Sequence, residues 1–151
     1  RRLEEASKCR SMGNEQFHGG AFRKALGAYN RGVLFLNVGA SEDGSFGNSE
    51  RVALELNLSA CHIKSKAWAK AASCARTAIS IDPENAKAHF RLAVALSGMN
   101  DLEAAMEESL KAMKLAPQSS EVRSQVSEIK QKISAAEKGD IFRGIFTGKK
   151  V

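Results

Sequence analysis

The side chains with the greatest chemical reactivity in this sequence are three cysteines and three histidines. An odd number of cysteines does not suit a disulfide framework, so we expect free thiols in a reducing compartment. Cys61 and Cys74 fall on the two facing helices of one predicted hairpin, where they could form a metal or redox pair or fill small buried positions. We interpret both as packing residues, because buried thiols behave as small apolar side chains.

The histidines do not complete a reactive site either. His18, His62 and His89 have no metal-ligand spacing with one another or with the cysteines. His62 follows Cys61 directly, but adjacent residues of a helix point apart and cannot pair as base and nucleophile. The glycine-containing segments GNEQFHGG and GASEDGSFG match neither a phosphate loop nor a calcium loop. The sequence therefore predicts no catalytic residue, no metal and no cofactor in this chain.

The composition favours a folded binding protein. With 43% hydrophobic and 26% charged residues the chain is too apolar for disorder. Charges break the longer apolar stretches, so we expect no membrane span. The opening segment RRLEEASKCR lacks a signal-peptide core and looks like a cut into a longer protein. A net charge of +6 permits an acidic partner. Nucleic acid is disfavoured, because the basic residues are not interleaved with exposed aromatics.

Two prolines reveal an internal repeat. Pro83 and Pro117 are 34 residues apart, as are the starts of two similar segments at Val52 and Ala86. Each segment predicts two amphipathic helices joined by a short turn. Small residues let the two helices of a hairpin approach closely, and they recur at Ala71, Ala78, Ala105 and Ala112.

A third unit lies upstream and is separated by a longer connection. It starts near Ala6, which is 46 residues before Val52 and so leaves 12 residues beyond one repeat. The surplus is visible as VGASEDGSFGNSER, which is typical of a flexible connection. Within this unit Gly13 is a predicted close-packing position and Gly20 lies in the turn. Its second helix carries a packing face of Phe22, Ala25 and Tyr29.

The sequence after Pro117 predicts a final helix that covers the open end of the stack. Ser119 or Ser120 can cap it, and its apolar face is Val122, Val126, Ile129 and Ile133. The fold class is therefore all-α: a right-handed superhelix of three helical hairpins plus a capping helix, seven helices in all. We assign residues 1–138 to this domain, with repeats at about 6–39, 52–85 and 86–119, the capping helix at about 119–138, and a basic, aromatic tail at 139–151.

This pattern resembles the tetratricopeptide repeat (TPR) family over roughly residues 6–117 and the capping helix. There are departures from the family pattern. Cys9, Glu55 and His89 stand where each first helix usually has a large aromatic, and we expect His89 to fill that core position. The turn glycine is kept as Gly20 but replaced at Lys66 and Asn100 in the later hairpins.

The more specific resemblance is to repeat domains that grip the acidic C-terminal tails of cytosolic chaperones with a carboxylate clamp. It implies a partner in the EEVD-type tail of heat-shock protein 90, with the tail of the 70-kDa chaperone as the alternative. Residues four apart on a helix lie one above the other, so stacked helices can surround one terminal carboxylate. The positions that match this clamp are Arg10, Asn14, Asn57, Lys87 and Arg91, with arginine at position 10 where the family usually has lysine.

Neighbouring side chains on the same helices are predicted secondary contacts with the peptide. Phe17 and Ile63 would seat an apolar side chain, Lys64 would meet an acid, and Phe90 adjoins Arg91. A second possibility is a scaffold that binds an internal segment of a dedicated partner, as in a protein-import receptor. The two differ in whether binding needs a free C-terminus.

A narrower resemblance is to the C-terminal repeat domain of large immunophilins, which are peptidyl-prolyl isomerases of the FK-binding or cyclophilin type. It rests on the long first connection, the segments NLSACHIK and NAKAHFRLA, and a tail that ends in an aromatic pair. It implies an isomerase domain upstream, no enzyme activity in this chain, and a cytoplasmic location, with the nucleus as a second candidate. The tail, with Ile141, Phe142, Ile145 and Phe146 among basic residues, could bind calmodulin or a membrane surface, or pack back on the last hairpin.

Overall fold

The computed structural model describes residues 1–38 and 45–146, with side chains through residue 140. Over these residues the chain forms seven α-helices and no strand. The helices are α1 (Arg2–His18), α2 (Phe22–Asn37), α3 (Asn48–Lys64), α4 (Trp68–Ile81), α5 (Ala86–Gly98), α6 (Leu102–Leu115) and α7 (Ser120–Phe146). The predicted connection between α2 and α3 lies partly outside the described residues.

Consecutive helices pack as hairpins, and the hairpins stack in chain order. The pairs α1–α2, α3–α4 and α5–α6 form the hairpins, while α2–α3, α4–α5 and α6–α7 join each hairpin to the next element. The first helices also contact one another in series, α1 with α3, α3 with α5, and α5 with α7. This confirms the all-α repeat stack and places α1, α3 and α5 side by side on one face.

Small residues set the spacing within the stack. The fully buried core is rich in alanine, including Ala71, Ala75 and Ala105. At Gly13 an added Cβ would overlap the ring of Tyr29, and at Gly98 it would overlap the ring of Trp68. The predicted close-packing role of Gly13 is confirmed, because only a residue without a side chain leaves room for the tyrosine there.

The three hairpin turns share one backbone conformation. Gly20, Lys66 and Asn100 have φ angles of 80°, 58° and 62°, in the left-handed region. Glycine adopts this region freely, whereas a side chain brings Cβ too close to the following carbonyl oxygen. The second and third turns therefore keep the geometry of the first turn under strain, because neither has the glycine that suits it.

The last helix closes the stack as the sequence predicts. Ser119 Oγ accepts a hydrogen bond of 3.4 Å from the Val122 amide, so Ser119 is the cap. Val122, Val126 and Ile129 are buried against the preceding helices. The helix continues past residue 138 to Phe146, since Gly139 and Gly144 weaken a helix by only about 1 kcal/mol each and no proline interrupts it.

The cysteines and acids form no reactive cluster in the described part of the chain. Cys61 is buried among apolar side chains, and Cys74 is half-buried beside them with its thiol on Glu55; both are free thiols. Burial raises the pKa of Cys61 to about 11 and that of Cys74 to about 12, which suits packing and not nucleophilic chemistry. Within the described residues no three His, Cys, Asp or Glu side chains converge, and none of the described helices combines the length and hydropathy that a membrane crossing needs.

Candidate peptide-binding groove

A network of amide and hydroxyl groups ties the first two hairpins together at the groove. Asn14 Oδ1 accepts a hydrogen bond of 2.7 Å from the Tyr29 hydroxyl and one of 3.0 Å from Asn57 Nδ2. Tyr29 comes from α2 and is 2% exposed, while the two asparagines are half-buried on α1 and α3. Burial raises the pKa of Tyr29 to about 12, so its hydroxyl keeps the proton it donates.

This network leaves amide hydrogens for a ligand. An amide oxygen can only accept and the nitrogen has two N–H groups. Because both bonds to Asn14 end on its oxygen, its Nδ2 group makes no hydrogen bond within the described residues. Asn57 Nδ2 has one of its two hydrogens engaged. The remaining N–H groups are the donors that a carboxylate would need.

Arg91 brings a cation from α5 to the same place. Its Nη1 atom donates a hydrogen bond of 2.7 Å to the backbone carbonyl of Leu56, next to Asn57 in α3. Burial lowers the pKa of Arg91, but an arginine stays protonated at neutral pH even so. The guanidinium is thus fixed beside the two amides with further N–H groups available.

The two other predicted clamp cations differ in their surroundings. Arg10 Nε donates to Glu50 Oε1 at 2.5 Å, which joins the middle of α1 to the first turn of α3. Lys87 is exposed near the start of α5, one helical turn before Arg91. Arg10 is therefore held by an ion pair, whereas the ammonium group of Lys87 lies in solvent.

A small pocket unites part of the predicted site. It has a volume of about 180 Å³ and is lined by Asn14, Phe17, His18, Tyr29, Asn57, Ala60 and Arg91. Two donors and a cation thus lie next to an aromatic wall. The pocket can hold an apolar side chain while a neighbouring carboxylate meets the amides and the guanidinium.

The secondary contacts predicted from the sequence fall in different places. Phe17 lines the pocket and packs edge-on against Phe22, with ring centroids 5.0 Å apart. Lys64 is exposed and lies over the Phe22 ring, 5.7 Å from its centroid. Ile63 packs against the apolar cluster formed by α4, α5, α6 and α7. Phe90 lines a separate pocket between α5 and α7, so only Phe17 of the four joins the clamp residues in the pocket.

On the opposite side of α5 a second polar set is buried. His89 is 6% exposed; its Nε2 lies 2.7 Å from the Pro83 carbonyl and its Nδ1 lies 2.6 Å from Glu108 Oε2. Burial acts to raise the pKa of Glu108, but hydrogen bonds from His89 and Lys111 outweigh it and leave that pKa lowered. His89 thus occupies the predicted core position, and hydrogen-bonding contacts with Glu108 and the Pro83 carbonyl replace the packing of an aromatic ring.

Known proteins match this architecture. The family model described as tetratricopeptide repeat matches residues 62–129. In the solved structure of the C-terminal TPR-containing domain of a Plasmodium falciparum FK506-binding protein, 93% of that chain superposes on 91% of this one, with 27% identity and a TM-score of 0.82. This chain has the fold of a tetratricopeptide repeat (TPR) domain, and its residues 62–129 match that family.

Two further proteins extend the comparison. The TPR domain is 30% identical to human peptidyl-prolyl cis-trans isomerase FKBP4 over 139 residues, which cover 87% of this chain and 29% of FKBP4. The chain therefore spans less than a third of the curated relatives it matches. Its fold also resembles the first TPR of Spaghetti (RPAP3) bound to the HSP90 peptide SRMEEVD, with 21% identity, a TM-score of 0.74, and coverage of 87% of this chain and 94% of that one.

Two residues of the groove were not among the sequence predictions. Tyr29 was expected only to pack, yet its hydroxyl orients Asn14. Glu50 was assigned to the connection before the second repeat, yet it holds Arg10. A hydroxyl on an otherwise apolar helix face and an acid in the first turn of α3 were the available signals, and their partners are 15 and 40 residues away along the chain.

Proposed function

We propose that this TPR domain is a co-chaperone module that binds the acidic C-terminal tail of heat-shock protein 90 through a carboxylate clamp. Arg10, Asn14, Asn57, Lys87 and Arg91 would hold the terminal aspartate of the tail. The observation that carries the proposal is the alignment of Asn14, Asn57 and Arg91 around one pocket, with N–H donors left over on each side chain.

The chemistry of a terminal aspartate suits these donors. Such a residue carries an α-carboxylate and a side-chain carboxylate close together. Cations and amides can hold both through charge-assisted hydrogen bonds, which are shorter and stronger than neutral ones. The Asn14 and Asn57 amides give direction to this contact, and Arg91, fixed on Leu56, supplies charge from the neighbouring hairpin.

The pocket beside the clamp supports a short apolar residue next to the terminal aspartate. Phe17, Tyr29 and Ala60 form its apolar walls. In the peptide SRMEEVD the residue before the aspartate is valine. A valine in this pocket would leave the terminal carboxylates facing the amides, and the upstream acids would remain near solvent and the exposed Lys64.

Calorimetric titration with the free-acid peptide SRMEEVD and its C-terminally amidated form tests the proposal. We expect the free acid to bind and the amide to bind at least tenfold more weakly, because a charge-assisted hydrogen bond contributes roughly 1.5–3 kcal/mol. Equal binding of the two forms would favour a scaffold that recognises an internal segment, as in an import receptor. Raising the salt concentration should weaken binding of the free-acid peptide, since the groove is open to solvent and salt screens its charges.

The tail of the 70-kDa chaperone is the alternative ligand, because the clamp meets only the shared acidic end. The tail peptide of the 70-kDa chaperone is titrated in the same way, and tighter binding than that of SRMEEVD would make this chaperone the partner. With either partner, the proposed location is the cytoplasm, with the nucleus as the alternative. The tail at 139–151 lies almost wholly beyond the described side chains, so calmodulin binding there stays a prediction, as does an isomerase domain in the parent protein.

A further inference from the structure

Arg10 is a clamp cation that already holds a carboxylate of the protein. Its Nε atom donates to Glu50 Oε1 at 2.5 Å, and the two side chains are only 32% and 13% exposed. Glu50 lies seven residues before Asn57, about two helical turns, so both lie on the groove-facing side of α3. An acid is thus built into a groove that we assign to an acidic peptide.

The atom that Arg10 uses for this pair decides what remains. A guanidinium presents five N–H groups, one on Nε and the others on the two Nη nitrogens. With Nε on Glu50, the Nη groups keep their donors, and the planar fork fixes the direction in which they point. A lysine has a single nitrogen at the end of a flexible chain. Its ammonium would have to serve Glu50 and the peptide from one point.

We propose that Glu50 is a positioning residue that makes the clamp depend on arginine at position 10. Glu50 holds the guanidinium through Nε and turns the Nη groups toward the terminal carboxylate of the peptide. This inference rests on the proposed function and adds a specificity determinant to it. It also gives a reason for the arginine at position 10. Without Glu50, the point charge of a lysine would be sufficient there.

The location of Glu50 supports a stable, ionised partner. It lies in the first turn of α3, where the helix dipole stabilises a negative charge. The Arg10 guanidinium then lies between Glu50 and the incoming peptide and screens one carboxylate from the other. A lysine drawn onto Glu50 would be withdrawn from the peptide and would leave the two acids facing each other.

A double-mutant cycle tests the inference. Arg10→Lys, Glu50→Gln and the combined variant are titrated with free-acid SRMEEVD, after thermal unfolding has shown that each is folded. We expect Arg10→Lys to weaken binding about tenfold in the wild-type background and less than about twofold in the Glu50→Gln background, within the coupling that contacting side chains show. Glu103→Gln removes the same charge from an exposed site on α6, and in that background the tenfold loss should persist.

A spectroscopic readout separates positioning from competition. The Arg10 Nε–H resonance in ¹⁵N-edited NMR spectra should be protected from exchange, should stay protected when peptide is added, and should lose protection in Glu50→Ala, which removes the acceptor oxygen. Loss of protection on peptide addition would mean that the peptide displaces Glu50, and equal Arg10→Lys losses in both backgrounds would mean no dependence; each overturns the inference alone. Absence of any binding by the wild type overturns the proposed function and this inference with it.

Discussion

Two polar sets lie two residues apart on α5 and face opposite sides of it. His89, turned toward α6, uses both ring nitrogens on Glu108 and Pro83 and is almost fully buried. Arg91, turned toward the groove, uses one nitrogen on Leu56 and lines a pocket with the two asparagines. The polar groups of the His89 set are hydrogen-bonded inside the protein, whereas the Arg91 set has N–H groups left to donate to a ligand. We therefore expect the His89 set to govern stability and the Arg91 set to govern binding.

The largest effect on binding is expected from the groove set. Arg91→Ala should weaken binding of free-acid SRMEEVD by ten- to a hundredfold, because hydrogen bonds between charged groups contribute roughly 1.5–3 kcal/mol. Calorimetry measures this loss. Arg76→Ala, at an exposed site on α4, removes the same charge and should leave the affinity within about twofold. Equal losses in both variants would show that net charge alone attracts the peptide.

The buried set should show the reverse behaviour. Glu108→Gln should lower the free energy of unfolding by about 2 kcal/mol at neutral pH, because His89 loses its charged partner. Peptide affinity should stay within about twofold of wild type. Urea unfolding and calorimetry measure the two quantities, and Glu107→Gln, an exposed neighbour on the same helix, is the matched control. A loss of affinity as large as that of Arg91→Ala would erase the distinction between the two sets.

The same pair carries a pH dependence with a definite sign. The pKa of Glu108 is lower in the folded protein than its ordinary value of about 4.5. Its contribution to stability is therefore fully present above that ordinary value and is lost as the pH falls through the folded pKa. The stability difference between wild type and Glu108→Gln should shrink as the pH is lowered from 5 to 3. A constant difference over this range would mean that Glu108 acts by shape and not by charge.

Tyr29 has a core ring and a hydroxyl at the groove, so its substitution should have an intermediate effect on both stability and binding. Its ring is core and its hydroxyl orients Asn14 at the groove. Tyr29→Phe should cost about 1 kcal/mol of stability and weaken the peptide about threefold, since one neutral hydrogen bond is lost and the Asn14 amide is freed to rotate. Urea unfolding and titration on the same sample measure both. An unchanged affinity would mean that Asn57 alone holds the amide in place.

The smallest effect is expected far from both sets, in the second hairpin turn. Lys66→Gly should stabilise the domain by about 0.5–1 kcal/mol, because glycine relieves the left-handed backbone strain but gains freedom when unfolded. Thermal unfolding should show the increase, and peptide affinity should not change. Gly20→Ala, at the same position of the first turn, should be destabilising. A lower stability of Lys66→Gly would show that the lysine side chain makes a contact that offsets its backbone strain.

The repeat architecture could be predicted from the sequence because it depends on residue types that recur at short, regular spacings. The spacing of Pro83 and Pro117, the small residues of the hairpins and the apolar face after Ser119 depend on neighbours a few residues away. Gly13 could be assigned to close packing for the same reason. The end of the last helix was placed too early, because Gly139 suggests a stop that the helix geometry tolerates.

The site was predictable in its residue types and not in its hydrogen bonds. Resemblance supplied the clamp positions, and helical spacing explained why residues four apart share a face. No local rule pairs Asn14 with Tyr29 or Arg10 with Glu50, since those contacts depend on how three helices stack. The side on which Ile63 packs could not be predicted either, because a half-buried position on a repeat helix can face the groove or the next hairpin.

The missing side chain at Gly13 has a consequence for anyone who wishes to move this site into another protein. A methyl group there would drive the Tyr29 ring away and with it the hydroxyl that holds Asn14. Transplanting the five clamp residues into a different repeat scaffold would therefore transfer their charges and amides without the contacts that orient Asn14. The portable unit includes a glycine and a tyrosine that a bound peptide need not touch, and a library that varies only ligand-facing positions would never sample them.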